Sequence, residues 1–238
     1  MCVAVIKRSK SPKYAFFISI NREEKNENAY KLWDYHWCNY PNIYGCLDIK
    51  SGGTWIALNT YGVFGALLNK ESIPSSGTKS RSNILLESLY NSSSASSVVE
   101  QLSARDFEKY KPFNIVIIDK KHAFYFTSES NMHIQTSYQF LDDELTMVNR
   151  SFPNDFSQQR IRNNYTKFLS AAEPNPDVFD YVEWQDILSK TCYTDSIETE
   201  FTMTLISDKW RTLTSSIIAI PRNGTFPLIR DCEVKFFE

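Results

Sequence analysis

Short apolar runs recur along this chain, and their length constrains the fold more than any other feature of the sequence. The runs at 84–86, 115–118 and 217–220, for example, are only a few residues long, whereas a membrane-spanning helix needs about 20 apolar residues. Many runs are rich in β-branched and aromatic residues and are bounded by turn-forming residues, a pattern typical of strands. The sequence therefore predicts a chain without a transmembrane segment that folds largely into short strands.

Turn signals between neighbouring runs predict hairpins. Asn223 and Gly224 form a strong two-residue turn signal, and Pro174 and Pro176 separate two helical patterns. The stretch 25–50 is aromatic and is predicted to be irregular. Predicted strands cover 2–6, 14–20, 54–59, 63–69, 113–119, 123–127, 133–140, 145–149, 201–207, 215–220, 225–229 and 234–237. Predicted helices cover 81–91, a segment with a capping box at 97–100, 156–172 and 178–191.

Blocks of strands alternate with blocks of helices in this prediction. Such an order favours helical layers that cover antiparallel sheets over repeated βαβ units. We therefore predict an α+β fold, a four-layer α-β-β-α sandwich of mostly antiparallel sheets. Because the 238 residues contain no internal repeat and no linker, we predict a single domain over 1–238.

Composition narrows the possible partners and the location. Twenty-six basic against 28 acidic residues give a net charge of −2, which offers no electrostatic reason to bind nucleic acid. The five cysteines contain no C-x-x-C pair and the three histidines lack ligand spacing, so neither a disulfide scaffold nor a metal site is predicted. Reduced thiols and the lack of a readable signal peptide predict a cytoplasmic protein.

Cys2 has the most distinctive chemistry. A small residue at position 2 normally allows the initiator Met to be removed, which would give Cys2 a free α-amino group. That amine titrates near ~7.7–8 and a thiol near ~8.5, so the amine can act as base for its own side chain, as in N-terminal nucleophiles. The alternative is a small apolar residue in a buried strand, and both interpretations remain open at this point.

The polar segment Asn21-Arg22-Glu23-Glu24 follows the second predicted strand. If strands 2–6 and 14–20 pair as a hairpin, the start of the first lies beside the end of the second. Arg22 or a neighbour then lies near Cys2, where a guanidinium favours the thiolate and a carboxylate can hold the guanidinium in place. The alternative is a charged turn on a solvated sheet edge.

Several short segments, taken in chain order, form a recognisable set. They are M-C at 1–2, N-R-E-E at 21–24, G-G-T-W at 52–55, L-N-T-Y-G at 58–62, A-L-L-N at 66–69, S-R at 80–81, F-N at 113–114 and the element at 211–216. Together they resemble the NRDE family, the transport and Golgi organization protein 2-like proteins. The chain departs from the family pattern at Glu23, where the family has Asp, at Leu68, where the family usually has Thr, at T-M-V-N instead of G-L-S-N, and at W-R-T-L-T instead of T-R-S-x-T.

The resemblance implies an N-terminal-nucleophile hydrolase fold, similar to that of cysteine-type amide hydrolases acting on bile salts and penicillin V. It implies that Cys2 is the nucleophile and its amine the base, and that Arg22 and Glu24, or Asn21 and Glu24, lie beside it. Asn21 is also a candidate ligand-binding residue. Such chemistry requires neither a metal nor an organic cofactor.

The resemblance assigns further site residues. Asn69 would supply an oxyanion-hole donor, Asn149 a second polar contact, and Arg211 would reach the site from late in the sequence. Trp55 is a candidate ligand-binding residue, although Gly52-Gly53 as a turn and Trp55 as packing between sheet and helix form the favoured interpretation.

Two functions follow from these expectations. In the first, the chain binds or mobilises a small hydrophobic ligand, haem or an acyl lipid, in secretory-pathway organisation or lipid homeostasis, roles that the resemblance implies together with links to the Golgi and mitochondria. The aromatic residues Trp33, Tyr35, Trp37 and Tyr40 could line such a ligand or simply pack a long loop. In the second, Cys2 cleaves a small-molecule amide. The glycine-poor composition also suggests an AT-rich genome, and the resemblance adds a viral source.

Overall fold

The computed structural model describes residues 2–25, 27–70, 79–131, 133–193, 202–224 and 226–232. The chain divides into two compact units. Unit 1 comprises Met1–Glu27, Asp143–Asn223 and Pro227–Glu238, and unit 2 comprises Asn28–Asp142 and Gly224–Phe226. The single-domain organisation remains a prediction, and each unit is described by itself.

Unit 1 is built on a seven-stranded sheet in the order β10-β1-β2-β13-β12-β11, with β14 also paired to β13. All neighbouring strands are antiparallel except β11 and β12. Asn223 and Gly224 lie in the connection between β13 and β14, and Gly224 has a φ of 107°. The strands are β1 (Cys2–Arg8), β2 (Tyr14–Lys25), β10 (Leu145–Val148), β11 (Thr191–Tyr193), β12 (Thr204–Ile206), β13 (Trp210–Pro221) and β14 (Leu228–Cys232).

Two helices, α3 (Gln159–Ser170) and α4 (Val182–Ser189), belong to unit 1. Alternate residues of the sheet, including Val3, Val5 and Phe17, share a buried core with Phe168 and Trp184 of these helices. Side chains in a strand alternate between its two faces. Apart from Tyr14 at the start of β2, odd-numbered residues of β1 and β2 therefore lie on the helix-packed face, and even-numbered residues lie on the opposite face.

Unit 2 contains a seven-stranded antiparallel sheet in chain order, from β3 to β9. Helices α1 (Ile84–Tyr90) and α2 (Ala95–Ser103) connect β6 and β7 and bury Leu85, Leu89 and Val98 in a core with Ile115 and Phe126. The strands are β3 (Tyr30–Asp34), β4 (Ile43–Asp48), β5 (Ile56–Asn59), β6 (Phe64–Asn69), β7 (Phe113–Ile118), β8 (Ala123–Asn131) and β9 (His133–Phe140).

The prediction of a mixed fold with two mostly antiparallel sheets and helices between strand blocks is confirmed. The prediction of irregular structure over 25–50 is wrong, because β3 and β4 form there. β3 is an edge strand that buries no side chain fully, so it lacks the apolar pattern by which a strand is identified. The predicted strand at 234–237 lies outside the described residues.

Helix boundaries also differ from the prediction, as the starts of α4 and α2 illustrate. Phe179 adopts a left-handed φ of 56° at the end of a short 3₁₀ helix, so α4 begins only at Val182. The capping box involves Ser94 and Ser97 instead of Ser97 and Glu100, since the Ser97 backbone N–H donates to Ser94 Oγ at 3.1 Å. The Ala95 backbone N–H donates to Asp119 Oδ2 at 2.8 Å, a long-range contact that starts α2 earlier.

None of the helices in the described ranges has the length and apolar character that crossing a bilayer requires.

Candidate active site

Cys2 and Arg22 are direct partners in the antiparallel pair of β1 and β2. Residues that lie opposite each other in such a pair point to the same face of the sheet. The side chains of residues 21–24 therefore lie on both faces of the sheet. Arg22 and Glu24 share the face of Cys2, whereas Asn21 and Glu23 lie on the helix-packed face. The predicted hairpin thus brings the cysteine and the arginine together.

The Cys2 thiol is buried, with 7% of the residue exposed. Burial raises the pKa of this thiol because a buried thiolate loses its hydration, while the Arg22 guanidinium acts in the opposite direction and lowers the pKa. The backbone N–H of Glu23 also donates to the sulfur and favours the thiolate. Cys2 is therefore a buried thiol in a partly polar setting, in contrast to the exposed Cys38.

Arg22 is held by a carboxylate on its own strand. Its Nη2 lies 3.7 Å from Glu24 Oε2, and the side chains are 4% and 22% exposed. Glu24 lies opposite Arg211 of β13 in the sheet register, and Arg211 is exposed. The structure thus places Cys2, Arg22, Glu24 and Arg211 along three adjacent strands.

A bulge in β13 decides which residue lies opposite Arg22. Thr212 pairs with Glu23 and Thr214 pairs with Arg22, so Leu213 is an extra residue in the strand. The bulge completes a row of Cys2, Arg22 and Thr214 across β1, β2 and β13. Thr214 belongs to the element at 211–216, but the sequence predicts no role for it, because a local pattern does not reveal a bulge.

Asn149 directly follows β10, the strand beside β1, and is buried. The register pairs Val148 with Ala4, which lies two residues from Cys2 in β1. Asn149 is the residue that directly follows Val148. The sheet therefore brings Asn149 to the same end of the strands as Cys2. Its role as a polar contact remains a prediction.

Asn21 makes its hydrogen bonds on the helix-packed face. Its Nδ2 donates to the Met203 carbonyl at 2.9 Å, and Ser215 Oγ donates to Asn21 Oδ1 at 2.6 Å. These bonds connect β2 to β13 and to the segment before β12. The ligand-binding role that the resemblance implies for Asn21 remains a prediction.

Asn69 and Trp55 belong to unit 2. Asn69 ends β6 opposite Phe113, and its role as an oxyanion donor remains a prediction. Trp55 is 6% exposed and lies edge-on to Tyr30 with ring centroids 6.3 Å apart. A Cβ on Gly53 would lie 2.4 Å from the Ser82 carbonyl oxygen, so the G-G-T-W segment includes a position at which only glycine fits.

The described part of the chain contains no group of three or more His, Cys, Asp or Glu side chains placed to hold a metal ion.

The chain matches a known protein family along most of its length. The family model described as Transport and Golgi organisation 2 matches residues 1–228. The chain belongs to the Transport and Golgi organisation 2 family. The Transport and Golgi organization 2 homolog of Mus musculus is 28% identical over 127 residues, which are 50% of this chain and 45% of that protein. The match thus spans less than half the length of this curated family member.

Two solved structures resemble the chain over nearly its whole length. The Caenorhabditis elegans N-acylethanolamine-hydrolyzing acid amidase ortholog has a TM-score of 0.60 and 12% identity, over 95% of this chain and 100% of that one. The C2A mutant of conjugated bile acid hydrolase from Clostridium perfringens has a TM-score of 0.51 and 11% identity, over 97% and 92%. At these identities the likeness establishes the fold, which is that of N-terminal-nucleophile hydrolases.

Proposed function

We propose that this chain hydrolyses an amide bond of a small molecule, with Cys2 as the nucleophile. The observation that carries the proposal is the pairing of the buried Cys2 thiol with Arg22 on one face of the β1–β2 pair. A buried cysteine that served only as packing would not require a guanidinium as its cross-strand partner. The guanidinium favours the thiolate, which is the nucleophilic form.

The reaction proceeds through a thioester. Once Met1 is removed, the α-amino group of Cys2 takes the thiol proton as the sulfur bonds to the amide carbonyl carbon. The tetrahedral oxyanion collapses, the C–N bond breaks, and the leaving amine takes the proton. Water then attacks the thioester carbonyl, and the acid is released as the thiol is restored.

An amide of a hydrophobic acyl group is the proposed substrate class. The names of the two structural neighbours describe hydrolysis of N-acylethanolamines and of conjugated bile acids. Arg22, Glu24 and Arg211 would position the polar end of such a substrate beside Cys2, and Asn69 and Asn149 would supply amide donors. We propose the cytoplasm as the site of this activity.

Hydrolysis of N-acylethanolamines of several chain lengths by wild-type protein tests the proposal. We expect release of free fatty acid and a transient mass increase on the Cys2 peptide, both lost in Cys2→Ala and both kept in Cys38→Ala, the matched exposed cysteine. Intact mass should show that Met1 is absent. Met1 retained on hydrolytically active protein, or full activity in Cys2→Ala, would contradict the proposal.

A second candidate function is binding and mobilisation of haem or an acyl lipid in the secretory pathway or lipid homeostasis. An aromatic cluster on β3 and β4 of unit 2 supports it. Trp33 stacks on Tyr44 with centroids 5.8 Å apart, and Tyr35 lies 5.1 Å from Tyr44. Tyr35 is 50% exposed, so this cluster presents aromatic surface that a ligand could contact.

Titration with haem and with a fluorescent fatty acid tests this second candidate. We expect a Soret shift or a fluorescence change that Tyr44→Ala abolishes and that Tyr61→Ala, at another exposed tyrosine of unit 2, leaves unchanged. Equal binding by both variants would contradict it. Loss of the haem signal in His36→Ala alone would identify axial ligation rather than stacking.

A further inference from the structure

A buried ion pair lies on the helix-packed face of the sheet, behind Cys2. Arg160 in the first turn of α3 bonds through Nη1 to Glu23 Oε1, and the side chains are 1% and 0% exposed. Arg160 Nε also donates to the Thr202 carbonyl at 3.0 Å. The pair thus connects α3 directly to β2.

Glu23 contacts both Arg160 and the Cys2 thiol. Its backbone N–H donates to the Cys2 sulfur on one side, while its carboxylate binds Arg160 on the other. Displacement of the Glu23 backbone would therefore displace a hydrogen-bond donor of the thiol.

The stability of the fold does not by itself require an ion pair here. Buried pairs recover little more than the desolvation they cost, and apolar replacements of similar volume are often as stable. A purely structural contact between α3 and β2 would therefore be served equally well by apolar side chains. The charges of Glu23 and Arg160 instead lie across the sheet from the buried Cys2 thiol, in a region of low dielectric where electrostatic interactions are strong.

We propose that Glu23 and Arg160 are positioning residues that set the location and the ionisation of the Cys2 thiol from the opposite face of the sheet. This inference rests on the proposed function of Cys2 as a nucleophile. The Glu23 carboxylate disfavours the thiolate, and the Arg160 guanidinium offsets that effect. The other charged residues near this end of the sheet are Arg22, Glu24 and Lys25 on β2, Arg211 on β13 and Arg150 after β10, and Lys7 and Arg8 lie at the far end of β1. The N-terminal amine also acts on the thiol.

The pH dependence of Cys2 alkylation by iodoacetamide, read by peptide mass spectrometry, tests the inference. Glu23→Gln leaves the Arg160 cation unopposed, so Cys2 should react about tenfold faster near neutral pH, the change that one pKa unit produces. Arg160→Gln leaves the Glu23 anion unopposed and should slow the reaction by a similar factor. The double variant should react within about twofold of wild type, since the two effects cancel.

Opposite signs separate a positioning role from a structural one. If the pair only held α3 in place, both single variants would loosen the region and change the rate in the same direction, and that result would overturn the inference. If one single variant fails to fold, the other is compared with the double variant: a faster rate in Glu23→Gln, or a slower rate in Arg160→Gln, supports the inference, and a rate equal to that of the double variant overturns it.

Controls isolate this inference from the proposed function. Lys13→Gln and Asp177→Asn remove an exposed ion pair of the same unit and should leave the Cys2 profile unchanged. Alkylation requires no substrate, so the rates can support or overturn the inference whatever the hydrolysis assay shows. Loss of hydrolysis in Cys2→Ala is measured separately and tests the proposed function alone.

Discussion

Cys2 lies directly opposite Arg22 across the first two strands, on the face that does not pack against the helices. A cysteine in this position is attached to hydrogen-bonded backbone, because Cys2 pairs with β2 and the following residues Ala4–Lys7 of β1 pair with both β2 and β10. Such a support limits the motion of the sulfur relative to its guanidinium, a condition that catalytic geometry requires.

The Arg22 guanidinium should control the reactivity of Cys2. Arg22→Gln removes the charge that lowers the pKa of the thiol, so alkylation near neutral pH should slow by about tenfold for each pKa unit lost. Arg22→Lys keeps the charge and should preserve most of the rate. Iodoacetamide kinetics with the exposed Cys38 as internal reference measure both, and an unchanged rate in Arg22→Gln would contradict the assigned role.

The thiol should also make stability depend on pH. Burial raises the pKa of Cys2 in the folded protein, so the folded state keeps its proton to a higher pH than the unfolded state. The resulting stabilisation is complete below the unfolded pKa of ~8.5 and is lost as pH rises toward the folded pKa. Denaturant unfolding should show wild type losing stability relative to Cys2→Ala above that pH, by at most about 1.4 kcal/mol per pH unit. A pH-independent difference would argue against a raised pKa.

Lys7 should contribute to stability through the end of α3. Its buried ammonium donates to the carbonyls of Phe168, Leu169 and Ala171 at 3.2, 3.0 and 3.0 Å, groups that a helix C-terminus otherwise leaves without partners. Lys7→Met should lower the free energy of unfolding by about 2 kcal/mol, the cost of unsatisfied buried polar groups. Lys10→Met, at an exposed lysine, should change it little. Equal effects would show that the three bonds contribute nothing.

Gly53 should tolerate substitution less well than Gly52. A Cβ at Gly53 would lie 2.4 Å from the Ser82 carbonyl oxygen, whereas Gly52 has open space around it and a φ of 71°. Gly52→Ala should therefore cost about 1 kcal/mol, from left-handed backbone strain, and Gly53→Ala should cost about 3 kcal/mol, from overpacking. Thermal unfolding of the two variants tests this order, and the reverse order would contradict it.

The role proposed for Asn69 predicts a defined loss of activity. If its side-chain amide stabilises the oxyanion, Asn69→Ala should lower kcat by about 10²–10³ with little change in KM. Asn91→Ala, at an exposed asparagine of unit 2, serves as the control. An unchanged kcat in Asn69→Ala would remove Asn69 from the site, while leaving the assignment of Cys2 intact.

Local sequence was sufficient for the hairpin that forms the centre of the site. Continuous apolar runs on either side of a polar turn predict that β1 and β2 form an antiparallel pair, and the pairing then brings Arg22 to Cys2. Most other strands were predicted for the same reason, because two buried faces leave an apolar run in the sequence. β3 was missed because this edge strand buries no side chain fully.

Long-range contacts decided the features of the site that local sequence did not predict. The Leu213 bulge, which brings Thr214 to Arg22, arises from how β13 pairs with β2 and leaves no local pattern. Glu23 and Arg160 are 137 residues apart, so their meeting depends on how α3 packs against the sheet. The sequence by itself determined the strands, the first hairpin and the candidate nucleophile. Only tertiary structure decided which charges surround Cys2, because registers and buried ion pairs form between segments that are distant along the chain.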